Sequence, residues 1–168
     1  MKYSLLLLLC LPFFSRAQDC KLTKSTDPFT HETKLSTGFA PFNYGVAKVS
    51  VSADATPSTI DLFFWVRNEG ACFDNTSTAL IIFEGEKSKN IYKNGGSMNC
   101  EGAFHISFKN SASTNFQLQK IATKKISSIK LTGTNKTEIN LTLTEDQKTL
   151  LMNMAACAVN QGKTLIPQ

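Results

Sequence analysis

The stretch Ile60-Asp61-Leu62-Phe63-Phe64-Trp65-Val66-Arg67 is the densest apolar run outside the N-terminus. Taken at period two, Ile60, Leu62, Phe64 and Val66 line one face, and Asp61, Phe63, Trp65 and Arg67 the other. Both faces carry large apolar groups at the centre and charges only towards the ends. That pattern predicts a strand covered on both sides, the centre of the fold.

The neighbouring segments read as sheet. Val46–Ala53 alternates, with Ala47, Val49, Val51 and Ala53 on one side and Lys48, Ser50 and Ser52 on the other. This predicts a half-buried strand with one wet face, joined to the central strand as a hairpin across Ala55–Ser58. Ala79–Glu84 and Ser88–Lys93 predict a second hairpin turning at Gly85. Ala103–Lys109 alternates again, with Phe104, Ile106 and Phe108 inward. Ser128–Thr132 and Thr137–Leu143 are further strands. Cys20–Ser25 and Phe29–Thr37 are shorter candidates, separated by an Asp27-Pro28 turn. The loop Gly38–Gly45 holds Phe39, Phe42 and Tyr44, whose rings are expected to plug one end of the core.

Two helix-start boxes stand out. Thr144-Glu-Asp-Gln147 places a capping threonine three residues before a glutamine, with acids in the first turn. The stripe Leu150, Leu151, Met154, Ala155, Cys157 and Ala158 then predicts a long helix ending near Gly162. Thr114-Asn-Phe-Gln117 predicts a shorter one through about Thr123. Regular strand–helix alternation is missing, so a parallel doubly wound sheet is disfavoured. The expected class is α+β, mostly β. It would be an antiparallel sheet, with a two-sheet sandwich as the alternative, carrying one short helix and a long C-terminal helix packed on it.

The N-terminus addresses the chain. Lys2, the apolar run Leu5–Phe14 and the small residues Ser15 and Ala17 have the layout of a secretory signal cleaved after Ala17. Leu9 before Cys10 is not small, which argues against lipid attachment. The remaining Gln18–Gln168 suits a single globular domain. No second apolar run approaches membrane length, so a membrane-spanning chain is not expected. The expected location is secreted or periplasmic. Cys20, Cys72, Cys100 and Cys157 remain after cleavage, an even number in an exported chain, which argues for disulfides. Cys72 and Cys100 flank the Ala79–Lys93 hairpin at equal spacing, so a bridge between them is preferred. Cys20–Cys157 would be the second, with a buried free thiol at Cys157 as its rival.

The formal net charge is +5 for the whole chain, too mild to imply nucleic acid. It is uneven, however: between Glu101 and Glu138 stand six lysines and no acid. The expected role of most is a solvated face that keeps the chain soluble. The alternative is a patch of Lys120, Lys124, Lys125, Lys130 and Lys136 attracting an anionic glycan, a lipid headgroup or an acidic protein.

Tests for catalysis give little. His31 and His105 have no histidine partner at ligand spacing, no Cys-x-x-Cys exists, and no metal or other cofactor is implied. No Gly-x-Ser-x-Gly elbow is present. Asn94-Gly95-Gly96-Ser97 lacks the lysine and following helix of a phosphate loop. Carboxylates among Asp27, Glu32, Asp61, Asp74 and Glu84 could converge only in space, the arrangement a small hydrolase would need. A carrier of a small apolar ligand would use the Phe39–Tyr44 loop as a lid over a cavity. Sequons occur at Asn75, Asn135 and Asn140.

The signal ending at Ala17-Gln18, the Asp27–Thr30 segment, the Asp61–Val66 strand, the Leu80–Gly85 turn and Ile126–Leu131 together resemble small exported proteins of Bacteroidota bacteria. The resemblance runs over most of the mature chain. It implies a periplasmic or surface location and no activity, carries over no functional residues, and would leave the sequons without consequence. The expected function is a non-enzymatic exported domain that binds a partner or serves the cell envelope.

Overall fold

The computed structural model of the chain describes residues 20–26, 31–134 and 137–167. The N-terminal signal, the Asp27-Pro28 turn, the sequon at Asn135 and Lys136 lie outside them. Strands β1 (Thr23–Thr26), β2 (Thr33–Ser36), β3 (Ala40–Pro41), β4 (Val49–Ala55), β5 (Thr59–Val66), β6 (Thr78–Phe83), β7 (Asn90–Lys93), β8 (Ala103–Lys109), β9 (Ile126–Thr132) and β10 (Glu138–Thr142) are joined by helices α1 (Phe116–Thr123) and α2 (Glu145–Gly162). They form two antiparallel sheets. One is six-stranded, in the order β1-β2-β4-β5-β8 with β3 also on β4, and the other runs β10-β9-β6-β7.

β5 sits between β4 and β8. Its register aligns Val49, Val51, Ala53 and Ala55 with Val66, Phe64, Leu62 and Ile60. These in turn align with Phe104, Ile106 and Phe108. This inner face is buried throughout and joins Ile81, Phe83, Ile129 and Leu131 of the other sheet in one core. Alternation therefore located the inner face. The outer face departs from expectation: Phe63 is half-buried and Trp65 is exposed, so β5 is fully covered on one side and only partly on the other.

β4 departs in the opposite sense. Ser50 and Ser52, expected in water, are buried, and Asp54 beyond them is buried too. Asp54 lies across the sheet from Ser36, whose hydroxyl donates to its carboxylate, and Lys34 pairs with it at 2.8 Å. Arg67 Nη2 donates to Ser50 Oγ at 2.6 Å. Each such polar group is covered by a neighbour that bonds it, which is what burial of a hydroxyl or carboxylate demands.

The sheets meet where the segment after β7 runs along the free edge of β8. There Gly95 N donates to the His105 carbonyl at 2.9 Å, and His105 N donates to Asn94 Oδ1 at 2.8 Å. α2 touches β2, β4, β5 and β9, packing its Leu151, Met154, Ala155 and Ala158 inward. The small side chains Ala53 and Ala55 let it approach. A Cβ on Gly162 would lie 2.9 Å from that of Ala55. The α-helix ends at Gly162, as expected, but the glycine has right-handed helical dihedrals, and a 3₁₀ turn, Lys163–Leu165, follows it. Its value is close approach rather than a left-handed cap. The Thr144 capping box forms as expected. In α1, Asn115 rather than Thr114 is the cap.

Cys72–Cys100 and Cys20–Cys157 are both disulfides, closing sequence separations of 28 and 137. Among the described residues no helix is long and apolar enough to cross a membrane.

Candidate functional site

The outer face of the six-stranded sheet carries an unusual row. Cross-strand register sets Ser50, Trp65 and Ala103 side by side, then Ser52, Phe63 and His105, then Asp54, Asp61 and Ser107. Phe39, carried over this face by the loop between β2 and β3, meets Phe63 edge-on with centroids 5.4 Å apart. It also meets Trp65 at 5.9 Å. The imidazole of His105 lies flat on Phe63 at 4.5 Å and 2°. At the other end the Arg67 guanidinium sits 5.0 Å from the Trp65 ring centroid. Five side chains thus interlock in the order His105, Phe63, Phe39, Trp65, Arg67. Phe39 remains 52% exposed and Trp65 40%. Phe42, the third ring considered with Phe39 and Tyr44 as a core plug, is the one that is buried.

The row is held rigidly. Trp65 Nε1 donates to the Glu101 carbonyl at 3.1 Å. His105 Nδ1 bonds Asp61 Oδ2 at 2.6 Å, and Ser107 Oγ donates to Asp61 Oδ1 at 2.8 Å. That assigns Nδ1, rather than Nε2, to the carboxylate. Gly95 and Gly96 border the row closely: a Cβ on Gly95 would meet Ser107 Oγ at 2.8 Å, and one on Gly96 would meet His105 Cδ2 at 2.9 Å. The glycine-bearing loop is therefore a wall of this face.

Asp61, His105 and Ser107 hold the residue types of a nucleophilic triad but not its wiring. The serine bonds the carboxylate rather than the imidazole, so the base does not activate the hydroxyl. Asp54 and Asp61 are direct cross-strand partners, a pair that sequence reasoning missed on the Asp54 side. Asp54 is engaged by Lys34 and Ser36 and Asp61 by His105 and Ser107. Asp74 is spent on a local turn, accepting from Thr76 and Ser77, bonds that hold its carboxyl below its ordinary range, with the Thr76 hydroxyl foremost. Glu84 accepts from Lys148. Among the described residues no three His, Cys, Asp or Glu side chains group as metal ligands.

The lysine-rich segment looks different in space than in sequence. Lys120 and Lys124 both bind Glu86 at 2.7 Å, Lys125 binds Glu145 at 3.2 Å, and Lys130 binds Glu138 at 2.7 Å. Lys120 also lies over the Phe83 ring, 4.5 Å from its centroid. Hydrogen bonds from Lys120, then Lys124, hold the Glu86 carboxyl down at about 2. The tract without acids is thus supplied with acids from β7's approach, from β10 and from the start of α2.

Of the cavities, one of about 350 Å³ opens beside the Cys20–Cys157 bridge, bordered by Lys21, Thr37, Leu150 and Met154. It is not roofed by Phe39–Tyr44, as the apolar-carrier reading required. Compared with known proteins, the chain matches no family model, no curated sequence and no solved structure.

Proposed function

We propose that this chain is a non-enzymatic exported domain that binds carbohydrate on the outer face of its six-stranded sheet. The observation that carries the reading is the row of interlocked rings, with Phe39 and Trp65 exposed beside fixed hydrogen-bonding groups. A sugar ring has a face of polarised C–H groups and a rim of hydroxyls. The negative face of an aromatic ring complements the first, and carboxylate, hydroxyl and imidazole groups complement the second. Rings already locked by neighbours lose little freedom on binding, which favours affinity.

Two disulfides support export, because such bonds persist in oxidising compartments. The pairing of Lys120, Lys124, Lys125 and Lys130 with carboxylates shifts the expected surface from the lysine-rich segment to the aromatic face. The protein bonds that already occupy Asp54 and Asp61 favour binding over the hydrolase alternative.

Trp65 is the sole tryptophan, so its emission reports on this face alone. Titration of the mature protein with soluble cell-envelope polysaccharides is expected to change that emission saturably. Phe39→Ala is expected to weaken binding about tenfold or more, as loss of a central aromatic contact does. No response to any saccharide would sink the proposal. So would a dimer, detected by sedimentation and dissolved by Phe39→Ala, since a second copy would then own the surface.

A further inference from the structure

From the position of Arg67 we infer that the sugar is acidic, a uronate-bearing glycan whose carboxylate docks on this guanidinium. The inference rests on the carbohydrate reading and adds a ligand class to it. Arg67 closes the aromatic row beside Trp65, the ring on which a sugar would stack. Its backbone N–H is taken by the Lys48 carbonyl at 2.8 Å, and one side-chain nitrogen donates to Ser50 Oγ at 2.6 Å. Those bonds and the stack fix the plane of the guanidinium. Among the described residues no carboxylate pairs with it, whereas Lys34, Lys120, Lys124, Lys125, Lys130 and Lys148 each have one.

Arginine presents several N–H donors in a rigid planar fork that matches the two oxygens of a carboxylate. Here one hydroxyl bond and one ring contact use only part of that capacity. The Asp54–Asp61 carboxylate pair on this face lies towards the other end of β5, six residues back from Arg67 and roughly 20 Å away at strand rise. It therefore does not neutralise Arg67. Glu101 contributes its backbone carbonyl to the site, through Trp65 Nε1. A pyranose on Trp65 bearing a carboxylate at its rim would place that group over the open edge of the fork. A neutral sugar would stack equally well and leave the fork unused.

The test compares a galacturonic-acid trisaccharide with its carboxyl-reduced, neutral counterpart, each titrated into the mature protein while Trp65 emission is followed. The acidic sugar is expected to bind about tenfold more tightly, the worth of one good charge-assisted contact. Salt should erode that preference. Arg67→Gln also removes a contact of Trp65, so it is expected to weaken both sugars somewhat but the acidic one more, bringing the ratio of affinities to about one, whereas Phe39→Ala weakens both and keeps the ratio. Equal binding of the two sugars by the wild type, or a preference that survives Arg67→Gln, would overturn the acidic assignment and leave carbohydrate binding standing. Silence of Trp65 towards both sugars would overturn the two together.

Discussion

Glu86 shows what a single side chain contributes that its sequence neighbours conceal. It sits in a turn between β6 and β7, yet it gathers Lys120 from α1 and Lys124 from the cap that follows it. The folded carboxyl holds off protonation until about 2, against an ordinary value of 4.5, so between those values the unfolded chain binds the proton more readily. Acidification through that window therefore favours unfolding, and the contribution is complete above it. Wild type is expected to exceed Glu86→Gln in denaturant midpoint at neutral pH. The gap should narrow from about pH 4.5 and vanish near pH 2; a gap independent of pH would contradict the assignment. Gly102 makes a second residue-scale case. It has φ +79°, and an added Cβ would lie 1.9 Å from the Val66 carbonyl oxygen. Gly102→Ala is expected to cost on the order of 2 kcal/mol or more, read as a lowered urea midpoint, because strain and clash add. Neither role was visible in sequence, since both depend on a partner many positions away. Trp65 was misjudged for a related reason. Alternation says which residues share a face, but not whether the opposing surface is protein or solvent.

At the scale of elements, sequence was most informative where the determining bonds are local. Thr144 and Gln147 satisfy each other's backbone amides within one turn, and the pattern is legible as written. Thr144→Ala is expected to destabilise the protein by about 1 kcal/mol, measured as a shift in denaturation midpoint, the usual worth of a cap. Ser should restore most of it. In α1 the same reasoning slipped by one residue, because Asn115 caps the amide two positions on, at Gln117. A neighbouring threonine offered an equally plausible box. The inner faces of β4, β5 and β8 followed from period two alone. The outer face of β4 did not. Ser50 and Ser52 look like part of a wet row, but β2 and β3 extend the sheet beside them and the loop between those strands crosses it. Small polar residues there are buried by what packs over them, which no local pattern encodes.

For the whole molecule, cysteine spacing favoured the Cys72–Cys100 bridge and left Cys20–Cys157 against a free-thiol rival, whereas the split into two sheets, the meeting of β7 with β8 and the lysine–carboxylate pairing rest on contacts between segments remote in sequence. The two bridges should also behave differently. In the chain-entropy account, a loop of 28 residues is worth about 3.5 kcal/mol and one of 137 about 5 kcal/mol. Cys20→Ser with Cys157→Ser should thus cost at least as much stability as Cys72→Ser with Cys100→Ser. The site should rank them the other way. Cys100 adjoins Glu101, whose carbonyl accepts from Trp65 Nε1, and Cys72 leads into Phe73, which exchanges backbone bonds with Asn99. The Cys72–Cys100 bridge therefore braces the loop that orients the indole. Its removal is expected to red-shift Trp65 emission and weaken sugar binding under conditions where the protein is still folded. Removal of Cys20–Cys157 should lower the melting temperature and leave the emission of the folded state unchanged, because the Trp65 side chain is held by Phe39, Arg67 and Glu101. Emission and melting temperature recorded on both double variants separate the two effects, and a bridge that moved both readouts in proportion would show that the aromatic face has no bracing of its own.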